Sequence, residues 1–183
     1  MFSLITLAAF FLAFQWIPSA QAVTFRCLSF SALSAGAATP GSMCVKVKVV
    51  SQQDSDVTVQ ILDVIKAGPD MNVAKGDTKV IHFPSGALRT LNLPPTPVFS
   101  PGAVEIWCLT MNAKGEYIPI GGWEQARFFI RDNNGVTEVY NAMGNACLVD
   151  TTSTNPGMTK AIEGMNQRGN AAFTEDEFKN FMK

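Results

Sequence analysis

The chain has 183 residues, of which 47% are hydrophobic and 16% charged, and its formal net charge is −1. A near-neutral chain with no basic run lacks the electrostatic footprint of a nucleic-acid binder. Its single histidine, His82, and four cysteines with no C-x-x-C spacing give no zinc-site signature.

Residues 1–22 contain no charged side chain, and 4–17 form an almost unbroken apolar run ended by Pro18. Ala20 and Ala22 match the small-residue pattern at a signal-peptidase site. The run is shorter than the roughly 20 residues of a membrane-spanning helix. The segment therefore reads as a cleaved signal peptide, although no Lys or Arg stands near Met1. The alternatives are an uncleaved anchor or a buried core helix. No later segment is long and apolar enough to cross a membrane, so the mature protein is expected to be secreted and free of the membrane. An even cysteine count (Cys27, Cys44, Cys108, Cys147) in a secreted chain suggests two disulfides, with three possible connectivities.

Residues 23–43 are rich in Ser, Ala and Gly and read as an extended N-terminal arm. Strands then follow one another through residues 44–150. In the first, 44–50, Val45, Val47 and Val49 alternate with Lys46 and Lys48. In the second, Val57, Val59 and Ile61 share a face, but Leu62 and Val64 fall out of phase, which predicts a bulge or sharp bend. The third strand starts at Gly76-Asp77 and carries Ile81 and Phe83. Residues 87–91 form a short strand or helical turn. Four prolines between 92 and 102 demand a loop. Residues 104–111 are the fourth strand, Asn112-Ala113-Lys114-Gly115 a hairpin turn, and 116–120 the return. Residues 127–130 and 136–140 read as two further strands about the Asp132-Asn133-Asn134-Gly135 turn. A helix starting near Trp123 is the alternative.

The segment 151–183 reads as a helical extension. Pro156 opens one helix, with Met158, Ile162 and Met165 at helical spacing. A second has Thr174 and Glu177 as a capping box and Phe173 with Phe178 as a staple. The chain is thus mainly β: a small five-stranded, OB-like closed barrel with C-terminal helices, or alternatively an immunoglobulin-like β-sandwich.

No nucleophile, phosphate-loop or zinc-protease motif is present, so no catalytic residue, metal or cofactor is expected. His82 reads as structural. Glu105 and Glu116 read as marks of a solvated face rather than a glycosidase pair. Trp107 and Trp123 read as core residues before binding residues.

Several motifs together resemble the netrin-like domain, the fold of the tissue inhibitors of metalloproteinases. They are VTVQILDVIKAG, GDTKVIHFP, PGAVEIWCLTMNAKGEYI, Gly122-Trp123, and Tyr140 ahead of Cys147, covering roughly 27–147. The resemblance implies an OB barrel tied by disulfides to its flanks, with Cys27–Cys108 and Cys44–Cys147 as the pairs. It implies an extracellular protein as partner, including a protease, bound by Val23, Thr24, Phe25, Arg26 and Cys27 together with Lys66, Pro69 and Asp70. The family's inhibitors chelate the protease zinc with an N-terminal Cys-x-Cys. Here Cys27 is the fifth residue after the expected cleavage and no Cys-x-Cys occurs. A secreted structural or matrix-associated module without inhibitory activity is therefore the alternative function.

Overall fold

A computed structural model of the protein describes residues 29–83, 98–121, 125–141, 145, 155–169 and 172–183. The expected signal peptide, Val23 to Cys27, residues 87–91, most of the proline loop, Gly122, Trp123 and Cys147 lie outside them. The elements in order are α1 (Phe30–Ala37), β1 (Ser42–Gln53), β2 (Asp56–Ala67), β3 (Thr78–His82), β4 (Val104–Met111), β5 (Tyr117–Pro119), β6 (Arg127–Asn133), β7 (Val136–Asn141), α2 (Pro156–Arg168), β8 (Phe173–Thr174) and α3 (Glu175–Met182).

Five strands close a mixed barrel in the order β1-β2-β3-β5-β4, sealed by β4 pairing back onto β1. All its pairings are antiparallel except β3 with β5, which meet at Ile81 and Tyr117. The β1–β4 seam settles the choice between barrel and sandwich. The far edge of β4 is shared: residues 109–111 pair with β5 and 105–107 with β6. Strands β6, β7 and β8 thus continue the sheet outside the barrel.

Two long strands can serve a small barrel because they bend. Against β1, the partner sequence on β2 skips Ile65 and Leu62, and β1 itself holds Val50 as an extra residue. The phase change at Leu62 is therefore a bulge. Turn chemistry follows the sequence as expected. Asn134 and Gly135 take φ of 55° and 80° between β6 and β7, the positive values a two-residue hairpin turn needs. Asn112 closes the β4–β5 turn by accepting from the N–H groups of Lys114 and Glu116.

Alternation along the strands produces two cores. Val45, Val47, Val49, Val57, Val59, Ile61, Ile81, Trp107 and Leu109 fill the barrel lumen with Phe83 and Phe99. The opposite faces of β1, β4, β6 and β7 carry Cys44, Ile106, Cys108, Phe128 and Val139, and the three helices cover them.

The expected extended arm contains a helix instead. Ser29 caps α1 by accepting from the Ala32 N–H, and Phe30, Leu33 and Ala37 form its buried stripe. Their i, i+3, i+7 spacing is the amphipathic pattern, and it outweighs the Ser/Gly composition because the stripe has a sheet face to cover. The C-terminal helices form as the caps predict. Asn155 caps α2, Gly169 ends it at φ 65°, and Thr174 with Glu177 makes the capping box of α3. Nor is this segment merely appended: β8 pairs with β7, and Phe173, Phe178, Phe181 and Met182 lie in the core shared with α1. No helix among the described residues is long and apolar enough to cross a membrane.

Candidate functional site

Three turns meet at one end of the barrel. Gly41, in the turn between α1 and β1, donates its N–H to the Asp70 carboxylate at 2.8 Å. Its carbonyl accepts from the N–H of Met111 at the end of β4. Gly68 packs so closely under the same turn that a Cβ there would collide with the Thr39 carbonyl oxygen, and its own N–H reaches the Ser42 carbonyl at 2.8 Å. The turns around 39–41, 68–70 and 111–115 thus form one continuous surface. Thr39, Pro40, Pro69, Asp70 and Lys114 are exposed on it. Met111, 42% exposed, adds a large apolar side chain. Two prolines and paired backbone groups leave this surface little conformational freedom to lose on binding.

The expected partner-binding residues divide accordingly. Pro69 and Asp70 stand on the barrel-end surface. Lys66 does not: its ammonium turns to the helical cover, donating to Ser34 Oγ at 2.8 Å and approaching the Lys183 carbonyl at 3.5 Å. The surface lies at the C-terminal end of α1. Val23, Thr24, Phe25, Arg26 and Cys27 are outside the described residues. Sequence reasoning missed Thr39, Pro40 and Met111. The signal for the first two was the Thr-Pro-Gly turn; Met111 was legible only as a strand end.

A second polar region lies where α3 crosses β1 and β2. Lys46, Leu62, Asp63, Lys75, Glu175 and Lys179 line an open groove of about 470 Å³. Lys46 pairs with Glu175 at 2.8 Å, and Lys179 reaches both Asp63 at 2.8 Å and Glu175 at 2.9 Å. Hydrogen bonding from Lys179 lowers the Asp63 carboxyl below its usual range. Burial alone would raise Glu175, but the hydrogen bonds from Lys46 and Lys179 outweigh it and the carboxyl is lowered. Lys46, Asp63, Glu175 and Lys179 answer one another and fasten α3 to the barrel, while Lys75 adds an exposed ammonium to the lining.

The other sequence candidates are structural. His82 Nδ1 lies 2.7 Å from Asp56 Oδ1, its cross-strand neighbour. Trp107 is buried in the lumen. Glu105 corrects the expectation of a solvated face: it is 4% exposed. Its carboxylate receives the Trp107 Nε1–H at 2.7 Å and a two-pronged contact from Arg127, whose guanidinium lies between the rings of Phe99 and Phe129. Burial is tolerated because every prong of the charge is answered. Glu116 instead accepts from the Asn112 side chain in the β4–β5 turn, so the two acids form no pair.

Of the expected disulfide cysteines, Cys44 and Cys108 are free, buried thiols directly opposite each other on β1 and β4. The pairing drawn from the resemblance would join them to Cys147 and Cys27, which are outside the described residues. Among the described residues no cluster of three or more His, Cys, Asp or Glu could hold a metal ion. No protein-family model matches the chain, and comparison with curated proteins gives no match.

Proposed function

We propose that this chain is a secreted, protein-binding OB-like barrel of netrin-like type, and that it meets an extracellular partner with its barrel-end turns. The observation that carries the reading is the convergence of three turns on Gly41, which presents Pro40, Pro69, Asp70 and Met111 on a rigid frame. Rigid loops on a small barrel are how this architecture binds without a deep pocket. In the inhibitor form of the reading, the partner is a metalloproteinase. The missing Cys-x-Cys favours the second form, a matrix-associated module that binds without chelating a catalytic zinc.

The test is a titration of the secreted protein against a panel of metalloproteinases and against immobilised matrix proteins. Stoichiometric inhibition supports the first form, and saturable retention on a matrix protein without inhibition supports the second. Neither inhibition nor retention at micromolar concentration removes both. N-terminal sequencing of the secreted protein checks that Val23 is its first residue.

A further inference from the structure

The seam that closes the barrel has a fixed hydrogen-bond phase. Odd-numbered residues along this seam bond across it: Gly41, just before β1, accepts from Met111, and Val49 donates to Ala103 and accepts from Gly102. Cys108 turns its own N–H to Ala126 and its carbonyl to Ile120, away from β1. Cys44 and Cys108, directly opposite in register, are therefore a non-hydrogen-bonded pair of the antiparallel ladder. At such a pair the Cα atoms are about 4.5 Å apart and the side chains lie closest. That is within the separation a disulfide accepts, roughly 4.4–6.8 Å between Cα atoms. Both side chains project to the same face, under α1 and α3. On the other flank of Cys44 stands Lys66, its register partner on β2.

We infer that Cys44 and Cys108 are a redox pair that closes to a cross-strand disulfide by exchange with an external disulfide during folding. The Cys44 thiolate attacks the donor, R–S–S–R, to give Cys44–S–S–R and release one thiolate. The Cys108 thiolate then attacks the Cys44 sulfur and releases the second. Two thiols are oxidised, one disulfide is reduced, and the two protons pass to the two departing thiolates.

The helical cover sets when this happens. Both cysteines are fully buried in the folded protein. Burial first, and then the neighbouring Cys108 thiol, push the Cys44 thiol well above its usual value, with Lys66 opposing. A thiol held neutral and out of solvent does not exchange. The pair must react before α1 and α3 dock, and whichever state it has then is sealed in. The disulfide would join the two strands that close the barrel and would enclose the β2 and β3 strands in its loop. It excludes the Cys27–Cys108 and Cys44–Cys147 pairing, and it does not depend on what the barrel binds.

The test folds the full chain in a mixture of reduced and oxidised glutathione, alkylates free thiols in denaturant, and maps the unreduced protein by mass spectrometry. Chymotrypsin is the protease to use, because Phe30 offers a cleavage point between Cys27 and Cys44. The expected result is a peptide pair joining Cys44 to Cys108. Reduction should lower Tm by on the order of 10 °C, a gap that Cys44→Ser/Cys108→Ser abolishes. Cys27→Ser/Cys147→Ser should still form the cross-link and keep the gap. Cys44 found with Cys147, Cys108 found with Cys27, or both Cys44 and Cys108 fully alkylated would overturn the inference.

Discussion

The two cores of this protein sit on opposite faces of β1 and β4, yet they are built from different residues. The lumen is lined by the β-branched Val45, Val47, Val49, Val57, Val59, Ile61 and Ile81, with Phe83, Phe99 and Trp107 in mutual ring contact at 4.7–5.4 Å. The layer under the helices has only Ile106 and Val139 of that kind among its buried residues, and it is centred on Phe30, which makes ring contacts with Phe128, Phe173, Phe178 and Phe181 at centroid distances of 4.7–6.1 Å. β-branched side chains suit a narrow space between closely paired strands and favour the strand backbone. Rings bury large apolar areas and meet edge to face in both layers, as Phe30 does with Phe173 and Phe83 with Trp107. The charges differ likewise. Glu105 and Arg127 are buried near the lumen, at 5% and 12% side-chain exposure. The Asp63–Lys179 pair at the edge of the helical layer is 46% and 29% exposed. The comparison teaches that the face under α1–α3 is already occupied by the chain itself. Among the described residues the barrel-end turns stay exposed, which is where the proposed contact is placed.

Separate packing of the two layers can be broken experimentally. The largest expected loss is Phe30→Ala, which removes the hub of the aromatic layer and should cost about 3–5 kcal/mol in a denaturant titration. Combined with Ile61→Val in the lumen, the two losses should add to within about 0.5 kcal/mol. A larger deviation would mean that the two layers are coupled across the sheet. Next is Glu105→Ala, which leaves the Arg127 guanidinium without its carboxylate between Phe99 and Phe129. About 3 kcal/mol is expected, with a change in Trp107 fluorescence because Trp107 Nε1 also loses its acceptor. Thr174→Ala removes the α3 cap and should cost about 1 kcal/mol, felt in helical circular dichroism.

The smallest effect expected is that of acid. Asp63, Glu175 and Glu177 all have carboxyls lowered in the folded state. For Glu177, burial would raise it, but hydrogen bonds from Arg168 and the Thr174 backbone prevail. A lowered folded value means that the stabilisation is fully present above the unfolded carboxylate range, near pH 4. It is lost as pH falls below that range toward the folded values. A thermal scan from pH 7 to pH 2 should therefore show a falling Tm only below about pH 4.5. Asp63→Asn should flatten part of that fall.

Much of the barrel was legible in the sequence because its signals are local. Valine alternation fixes β1, the out-of-phase Leu62 marks the bulge, and Asn-Gly and Asn-x-x-Gly mark the hairpins. The C-terminal caps were equally plain. α1 was not: only Phe30, Leu33 and Ala37 argue for it, and they matter because a sheet face distant in sequence needs covering. Glu105 was misplaced for a similar reason, since Arg127 answers it from another strand. The proposed surface was half legible. Pro69 and Asp70 belong to a visible turn, whereas their neighbours Pro40 and Met111 arrive by folding, and Lys66 is drawn away to Ser34.

The surface assignment is tested most directly by comparing affinity across two single variants. Met111→Asp places a charge on the barrel-end surface, and Val136→Asp does the same at an exposed hairpin residue of β7. Both side chains are exposed, so Tm should change little for either. With a metalloproteinase or matrix protein that the chain retains, Met111→Asp should weaken binding at least about tenfold, the cost of a desolvated contact residue. Val136→Asp should bind as the unaltered chain does. Equal affinity of all three proteins, or a loss confined to Val136→Asp, would contradict the barrel end as the binding surface.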